Sequence, residues 1–224
     1  TTEIYTLSLH DALPIYFGLG ASAFAGHSYG ELTALCAAGV FDPADLHRLS
    51  RLRGELMAAG GGDKGSMLAV SAPLSEIEKA LEEERLNLIL ANRNTPDQGV
   101  LSGPVKEIRR AAECLGKRGL RCTTLNVAAA FHSDLVAAAA GPFAEKLKDV
   151  AFGETRTPVY ANTSGAPYPA DAAAARDLLA NQLAKPVEFV RQIENMYNAG
   201  IRVFLEVGPR SEEHTSELQS RQSI

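Results

Sequence analysis

Apolar and polar residues follow two different spacings along this chain, and the spacing predicts strands alternating with helices. Short runs of apolar or small residues predict strands at residues 21–25, 66–71, 86–92, 99–102, 121–127, 159–162 and 203–207. Apolar positions three or four residues apart predict helices at residues 30–38, 42–57, 75–84, 105–117, 134–148, 171–183 and 187–198. This alternation is typical of an α/β protein with a largely parallel sheet.

The middle of the chain has an order of elements of its own. Residues 66–127 are predicted to run strand, helix, strand, strand, helix, strand, which is the order of a ferredoxin-like (βαββαβ) module. We therefore predict a small subdomain at 66–127, inserted in a large subdomain made of residues 16–65 and 128–209. The large subdomain is expected to have an α/β-hydrolase-like core with a parallel sheet.

The two ends of the chain do not match the rest. Codon by codon, residues 1–15 and 210–220 read as translations of two common sequencing-library adapters. We interpret residues 1–15 and 210–224 as artefactual and exclude both from the fold prediction, as one excludes tags and scars. On this interpretation the natural chain is cut at both ends.

Charge and cysteine content exclude several classes of function. The net charge of the whole chain is −5, and part of that charge lies in the terminal segments. The residues between those segments are therefore near neutral, which argues against nucleic acid as the main partner. No apolar stretch is long enough to span a bilayer. The cysteines, Cys36, Cys114 and Cys122, have neither metal nor redox spacing, so we expect no metal site and reduced thiols in the cytoplasm.

The segment Gly-His-Ser-Tyr-Gly-Glu at residues 26–31 has the pattern of a nucleophile elbow. A predicted strand precedes it and a predicted helix follows it, and a sharp turn between the two would raise the hydroxyl of Ser28 above the sheet. The backbone N–H groups after the serine, beginning with Tyr29, would lie at a helix N-terminus, where an oxyanion is stabilised. Ser28 is therefore the candidate nucleophile.

Two further residues are candidates for the same site. Among the histidines between the terminal segments, His132 in the predicted loop at 129–133 is the candidate base, although it could equally be a loop or capping histidine. Arg53 lies on the predicted second helix, and a guanidinium binds a carboxylate through two hydrogen bonds. From position alone, Arg53 could also be one of a series of surface arginines that includes Arg48 and Arg51.

Several separate motifs resemble one family. Residues 16–209 resemble the acyltransferase domain of malonyl-CoA:acyl carrier protein transacylases and of fatty acid and polyketide synthases, and residues 178–209 look most like synthases of the polyunsaturated fatty acid type. The resemblance rests on motifs at residues 26–31, 51–57, 92–94 with 100–103, 130–133, 182–183 with 186–187, and 204–209.

The resemblance implies a mechanism and a set of site residues. It implies that Ser28 takes a malonyl group from malonyl-CoA, with His132 as the base, and passes it to the phosphopantetheine thiol of an acyl carrier protein. No bound cofactor is implied, and the partners would be the carrier protein and other synthase domains. The implied substrate contacts are made by Arg53, Tyr29, Phe131 and His27. The backbone of Tyr29 would hold the oxyanion and that of Gln182 would orient His132.

Family members that take malonyl tend to have Phe immediately before the histidine, so the resemblance implies that Phe131 favours malonyl over methylmalonyl. The physical reason is that a large ring leaves little room for one more methyl group. The family's second oxyanion donor comes from a loop near the natural N-terminus, where this chain has adapter-like residues. We therefore expect the chain as written to be poorly active.

Two other functions remain open from the sequence. A serine hydrolase or thioesterase would need an acid between the serine and the histidine, and Asp63 and Asp97 lie in that interval. A catalytically impaired docking domain would need a surface for an acidic carrier protein. Basic residues on and after the predicted helix at 105–117 could form it, namely Arg109, Arg110, Lys117, Arg118 and Arg121.

Overall fold

The computed structural model describes most of the chain between Gly20 and Val207. The described residues are 20–58, 64–127, 129–154 and 157–207. The predictions for residues 1–15 and 210–224, and for Asp63, lie outside them. The described residues fall into two units, one within residues 23–199 and the other containing residues 20–22 and 200–207. None of the described helices is both long and apolar enough to cross a bilayer.

A short parallel pairing lies at the centre of the larger unit. Strand β1 (Phe24–Ala25) runs parallel to β6 (Val159–Tyr160), with Phe24 opposite Val159. Helices surround this pair: α1 (Gly30–Ala37), α2 (Pro43–Ala58), α5 (Ala140–Leu147), α6 (Ala172–Asn181) and α7 (Phe189–Asn198). Apolar side chains of α1, α2, α5 and α6 pack together in one core. A 3₁₀ helix (Asp134–Ala139) precedes α5.

The second sheet is antiparallel and is built from consecutive elements. These are β2 (Ser66–Ser71), α3 (Leu74–Glu83), β3 (Ile89–Thr95), β4 (Gln98–Gly103), α4 (Val105–Lys117) and β5 (Arg121–Leu125). The strands lie in the order β3-β4-β2-β5, the order of the ferredoxin-like arrangement. With one parallel and one antiparallel sheet, the predicted α/β fold class is confirmed.

Strand β2 shows why this sheet has two apolar faces. Leu68 and Val70 point to the side covered by α3 and α4, while Met67 points to the other side. On that second side Met67 packs with Ala91, Val100 and other apolar residues of the sheet, and Phe131 packs against the cluster. The sheet is therefore buried on both faces, and one of them receives the loop that carries His132.

The edge strand β3 is joined to the segment that precedes α7. The Arg93 backbone N–H donates to the Val187 carbonyl at 2.9 Å, and the Val187 N–H donates to the Ala91 carbonyl at 2.8 Å. The Arg93 guanidinium also pairs with Glu188 at 2.8 Å and with Glu78 of α3 at 2.9 Å. These contacts explain why α7 begins at Phe189, two residues later than predicted.

The strands predicted at 21–25, 121–127 and 159–162 are shorter than predicted, and two other strand predictions need a larger correction. The strand predicted at 86–92 instead spans Ile89–Thr95, because the polar residues after Asn92 are used in contacts rather than forming a loop. The strand predicted at 203–207 does not form. Residues 201–207 have no regular secondary structure, and the exposed fraction of Val203 is 85%. An apolar run forms a strand only where a neighbour supplies hydrogen bonds, and none of the described strands pairs with it.

The turn between β1 and α1 has a left-handed backbone conformation at Ser28 and brings the backbone of Gly26 close to that of Gly30. Ser28 has a φ of 51°. For any residue that has a side chain, this conformation is unfavourable in free energy. A Cβ added to Gly26 would overlap the Gly30 carbonyl group and lie 2.6 Å from the Glu31 nitrogen. A Cβ on Gly30 would meet nothing within 4 Å. Gly26 is therefore required by close backbone approach, whereas Gly30 is not.

We predict that Gly26→Ala lowers the free energy of unfolding by at least about 2 kcal/mol, because backbone must move to admit the methyl group. Gly30→Ala, the matched control, should change it by no more than about 1 kcal/mol. Urea unfolding followed by circular dichroism measures both. Equal effects of the two substitutions would contradict the packing argument.

Candidate active site

Ser28 and His132 meet at the end of the parallel strands. Ser28 lies directly after β1, and its Oγ is 2.8 Å from His132 Nε2. The exposed fraction of His132 is 1%, and its φ of 57° lies in the left-handed region. The loop is held in place where the Ala130 N–H donates to the Lys64 carbonyl and Ser133 Oγ donates to the Ala130 carbonyl. The loop-histidine alternative is therefore disfavoured.

The second ring nitrogen of His132 faces two backbone carbonyls. Nδ1 lies 3.1 Å from the Gln182 oxygen and 3.0 Å from the Lys185 oxygen. Because a carbonyl only accepts, we assign the proton to Nδ1, which leaves the Nε2 lone pair for the Ser28 hydroxyl. The Lys185 contact was missed by the sequence analysis, since a backbone acceptor has no residue-type signal.

The pKa of His132 is lowered from 6.5 to about 4, mainly by burial and next by the charge of Arg53. The two carbonyls oppose this shift, since they accept from the protonated ring. The imidazole is therefore neutral at physiological pH and available as a base.

Arg53 points into the site rather than to the surface. Only 5% of Arg53 is exposed, whereas Arg48 and Arg51 on the same helix are exposed. Its Nη2 donates to Ser28 Oγ at 3.3 Å. Burial lowers the pKa of Arg53, and the nearby Glu31 carboxyl opposes the shift. A guanidinium remains charged under these conditions, so the site holds a cation beside a nucleophile.

The other predicted residues surround this centre. The Tyr29 hydroxyl lies 2.7 Å from Ser50 Oγ of α2, and its ring centroid is 5.9 Å from the Arg53 guanidinium carbon. No described residue accepts a hydrogen bond from the Tyr29 backbone N–H. His27 Nε2 lies 2.8 Å from Asn94 Oδ1 on β3, so its side chain faces the antiparallel sheet.

Asn162 is a site residue that the sequence analysis missed. Its Oδ1 accepts from the Ser28 backbone N–H at 2.6 Å, and its Nδ2 donates to the Gly26 carbonyl at 2.5 Å. Asn162 follows β6 as the serine turn follows β1. Because the carboxyl ends of parallel strands meet at one edge of a sheet, this position was a usable signal.

Glu31 is the second residue that was missed as a site residue. Its carboxyl accepts from the Asn162 backbone N–H at 3.1 Å and from the Tyr168 hydroxyl. Burial raises the pKa of Glu31 to about 7, and these two hydrogen bonds and the charge of Arg53 limit the rise. This buried carboxyl therefore stabilises the turn at Ser28 through its hydrogen bond with Asn162.

Comparison with known proteins gives the family. A sequence profile described as the acyl transferase domain matches residues 6–217, nearly the whole chain. The chain belongs to the acyl transferase domain family. The resemblance derived from the motifs is therefore confirmed.

Two relatives show the range of proteins that contain this acyl transferase domain. It is 35% identical over 202 residues to a malonyl CoA-acyl carrier protein transacylase of Bacillus subtilis, covering 86% of this chain and 62% of that one. It is 37% identical over 193 residues to a polyunsaturated fatty acid synthase polypeptide of Thraustochytrium sp., covering 83% of this chain and 7% of that one. The domain therefore spans less than two thirds of either relative.

Solved structures share the fold. A malonyl CoA-acyl carrier protein transacylase from Burkholderia pseudomallei superposes with a TM-score of 0.85 at 32% identity, covering 99% of this chain and 78% of that one. A malonyl-transacylase solved in complex with a type II polyketide synthase acyl-carrier protein gives a TM-score of 0.84 at 31% identity, covering 92% of this chain and 69% of that one.

We predict that Ser28 stays reactive in acid well below the usual histidine range. A lowered pKa keeps the imidazole neutral at lower pH, so the labelling rate with phenylmethanesulfonyl fluoride should be half-maximal near the pH of about 4 at which His132 titrates. Arg53→Gln removes a charge that lowers this pKa, so its midpoint should move up toward 6.5.

Intact mass reports the labelling, and circular dichroism checks folding at each pH. That check matters because a histidine buried in the neutral form contributes stability that is lost as the pH falls from 6.5 through the folded-state pKa. A midpoint at 6.5 in the folded protein would contradict the assignment.

Proposed function

We propose that this acyl transferase domain moves a malonyl group from malonyl-CoA, through an ester on Ser28, to the phosphopantetheine thiol of an acyl carrier protein. The observation that carries the proposal is the buried Arg53 guanidinium, which lies 3.3 Å from the Ser28 hydroxyl that His132 contacts. A simple esterase has no use for a buried cation in its acyl site. An acyl group that ends in a carboxylate pairs with it.

In the first half-reaction, Ser28 Oγ attacks the thioester carbonyl carbon while His132 Nε2 takes the hydroxyl proton. The carbonyl oxygen becomes an oxyanion, and the backbone N–H of Tyr29 donates to it. When the oxyanion collapses, the carbon–sulfur bond breaks. The imidazolium returns its proton to the sulfur, which leaves as the thiol of coenzyme A.

In the second half-reaction, the carrier thiol enters where coenzyme A left. His132 takes the thiol proton as the sulfur attacks the malonyl ester of Ser28. The carbon–oxygen bond to Ser28 then breaks, and His132 returns the proton to Oγ. The products are malonyl carrier protein and the original enzyme, and no bound cofactor takes part.

Arg53 and Phe131 would select the acyl group. A malonyl carboxylate pairs with the Arg53 guanidinium, whereas an acetyl group leaves that buried charge unpaired, which costs free energy. Phe131 is next to His132 in the chain, is partly buried and packs against the second face of the antiparallel sheet. We propose that its ring limits substitution on the malonyl α-carbon.

The serine hydrolase alternative is not favoured. A Ser-His-acid triad needs a carboxylate on His132 Nδ1, but that atom faces the carbonyls of Gln182 and Lys185. Asp97 lies in the turn between β3 and β4, where its N–H donates to Thr95 Oγ1. The other candidate acid from the sequence analysis, Asp63, is outside the described residues.

The docking alternative loses part of its basic surface to internal pairs. Arg118 pairs with Glu83 at 2.7 Å and with Glu84 at 2.6 Å, and Arg110 pairs with Glu107 at 3.4 Å. Such pairs neutralise charge that an acidic partner would need. Together with the geometry at Ser28, these pairs favour a catalytic over a docking role. The proposed partners are the carrier protein and other synthase domains, and the proposed location is the cytoplasm.

We predict that incubation with malonyl-CoA adds the mass of one malonyl group to the protein, and that Ser28→Ala abolishes the addition. A thioesterase would instead release free malonate with little adduct, because water would take the acyl group. Intact mass and malonate release are measured on the same samples. Rapid malonate release with no carrier-dependent transfer would contradict the proposal.

We predict that Arg53→Gln slows malonyl loading of Ser28 by about 10- to 100-fold, the effect of losing one charged hydrogen-bonding partner. Acetyl loading from acetyl-CoA should change by less, because acetyl has no carboxylate to pair. Arg51→Gln is the matched control, since Arg51 is exposed on the same helix and, among the described residues, pairs only with Glu55, at 3.5 Å. Equal losses of malonyl and acetyl loading would contradict this role of Arg53.

A further inference from the structure

We propose that Asn162 is a positioning residue that holds Ser28 in its reactive conformation. The inference rests on the proposed function, because it concerns the nucleophile of that reaction. Asn162 contacts the backbone of Ser28 and not its Oγ, so it acts on catalysis through the serine.

The side chain of Asn162 bridges the two sides of the serine turn. Oδ1 accepts from the Ser28 N–H at 2.6 Å, and Nδ2 donates to the Gly26 carbonyl at 2.5 Å. The φ of 51° at Ser28 is a conformation that persists only where the surroundings hold it. One amide that bonds the backbone on both sides of the turn supplies that restraint.

Asparagine suits this position because its side chain both accepts and donates. Its Nδ2 has two hydrogens, of which one goes to Gly26 and the other to Gln192 Oε1 at 3.2 Å. An aspartate of the same shape has the acceptor but lacks both donors when ionised. The chemistry of the three partners therefore specifies an amide.

Asn162 is itself held by hydrogen bonds to several neighbours, of which Glu31 and Gln192 are buried. Its N–H donates to Glu31 at 3.1 Å, and Gln192 is fixed by donating to the Tyr160 carbonyl at 2.6 Å. The Asn162 carbonyl accepts from the Glu188 N–H at 2.8 Å, next to the segment that carries the carbonyls facing His132. Asn162 therefore contacts both the turn of the nucleophile and the support of the base.

The hydrogen bond from the Ser28 N–H to Asn162 also determines which backbone N–H group at the turn can donate to an oxyanion. Because the Ser28 N–H is taken by Asn162, it is not available to an oxyanion, and the Tyr29 N–H is the donor left at this turn. Asn162 thus fixes both where Oγ points and which amide faces the acyl oxygen.

Two substitutions test the role. Asn162→Ala removes all three side-chain bonds, and Asn162→Asp keeps the shape but loses the two donors. Both should lower kcat of malonyl transfer and the labelling rate of Ser28 by about 100-fold, the effect of displacing a reacting atom by about 1 Å. KM for malonyl-CoA should stay within about twofold, since Arg53 is not touched.

Asn195→Ala is the matched control. Asn195 lies one turn further along the helix from Gln192, and its Nδ2 donates to the Gly165 carbonyl at 2.9 Å, away from Ser28. It loses one amide-to-carbonyl bond of the same kind, so a fall in melting temperature with unchanged labelling is expected.

A pH profile separates positioning from a general loss of stability. In Asn162→Asp, protonation of the new carboxyl restores a donor for Gly26, so labelling should partly recover as the pH falls. The wild-type profile, measured alongside, accounts for the titration of His132 and Glu31. If Asn162→Ala does not fold, Asn162→Asp alone carries this test.

The outcomes distinguish the two proposals. Wild-type labelling rates in folded Asn162 variants would overturn the positioning role, whether or not malonyl is transferred. A wild-type protein that is labelled at Ser28 but takes no malonyl group would overturn the proposed function. In that case slow labelling of the Asn162 variants would still support the positioning role.

Discussion

The site depends on one strained backbone position, the left-handed φ of Ser28. A serine adopts this conformation only where neighbouring groups compensate its cost, and three of them are specific to this turn. Gly26 allows the backbone to approach Gly30, Asn162 bridges the turn, and Gln182 Nε2 donates to the Ser28 carbonyl at 2.8 Å. With the turn fixed, Oγ is directed at both His132 and Arg53.

The electrostatics of the site suit an anionic substrate. Burial and the charge of Arg53 keep His132 neutral, so the free site has a base with a lowered pKa beside a cation whose charge is incompletely compensated. A carboxylate bound to Arg53 would compensate its charge and remove one cause of the depression. The imidazole would then be the stronger base when an acyl group is in place, which in the proposed reaction is when the carrier thiol loses its proton.

Sequence reasoning found what residue types and order can indicate. The GHSYGE turn, the order of strands in the antiparallel sheet and the Ser28–His132 pairing follow from local pattern and family motifs. The backbone acceptor at Lys185 and the extension of β3 to Thr95 were not predictable, because they depend on contacts between distant segments. Asn162 was partly predictable. Its position after β6 was a signal, but its contact with the turn at Ser28 became evident only once β1 and β6 were paired.

The antiparallel sheet contributes to the catalytic geometry rather than being a separate attachment. The short segment from Gln182 to Glu188 places two carbonyls on His132 Nδ1, and a few residues later it pairs with β3 through Val187. His27, next to the nucleophile, contacts Asn94 on the same strand. A displacement of β3 would therefore act on both the base and the serine turn. The position of this sheet is thus a condition for the reaction at Ser28.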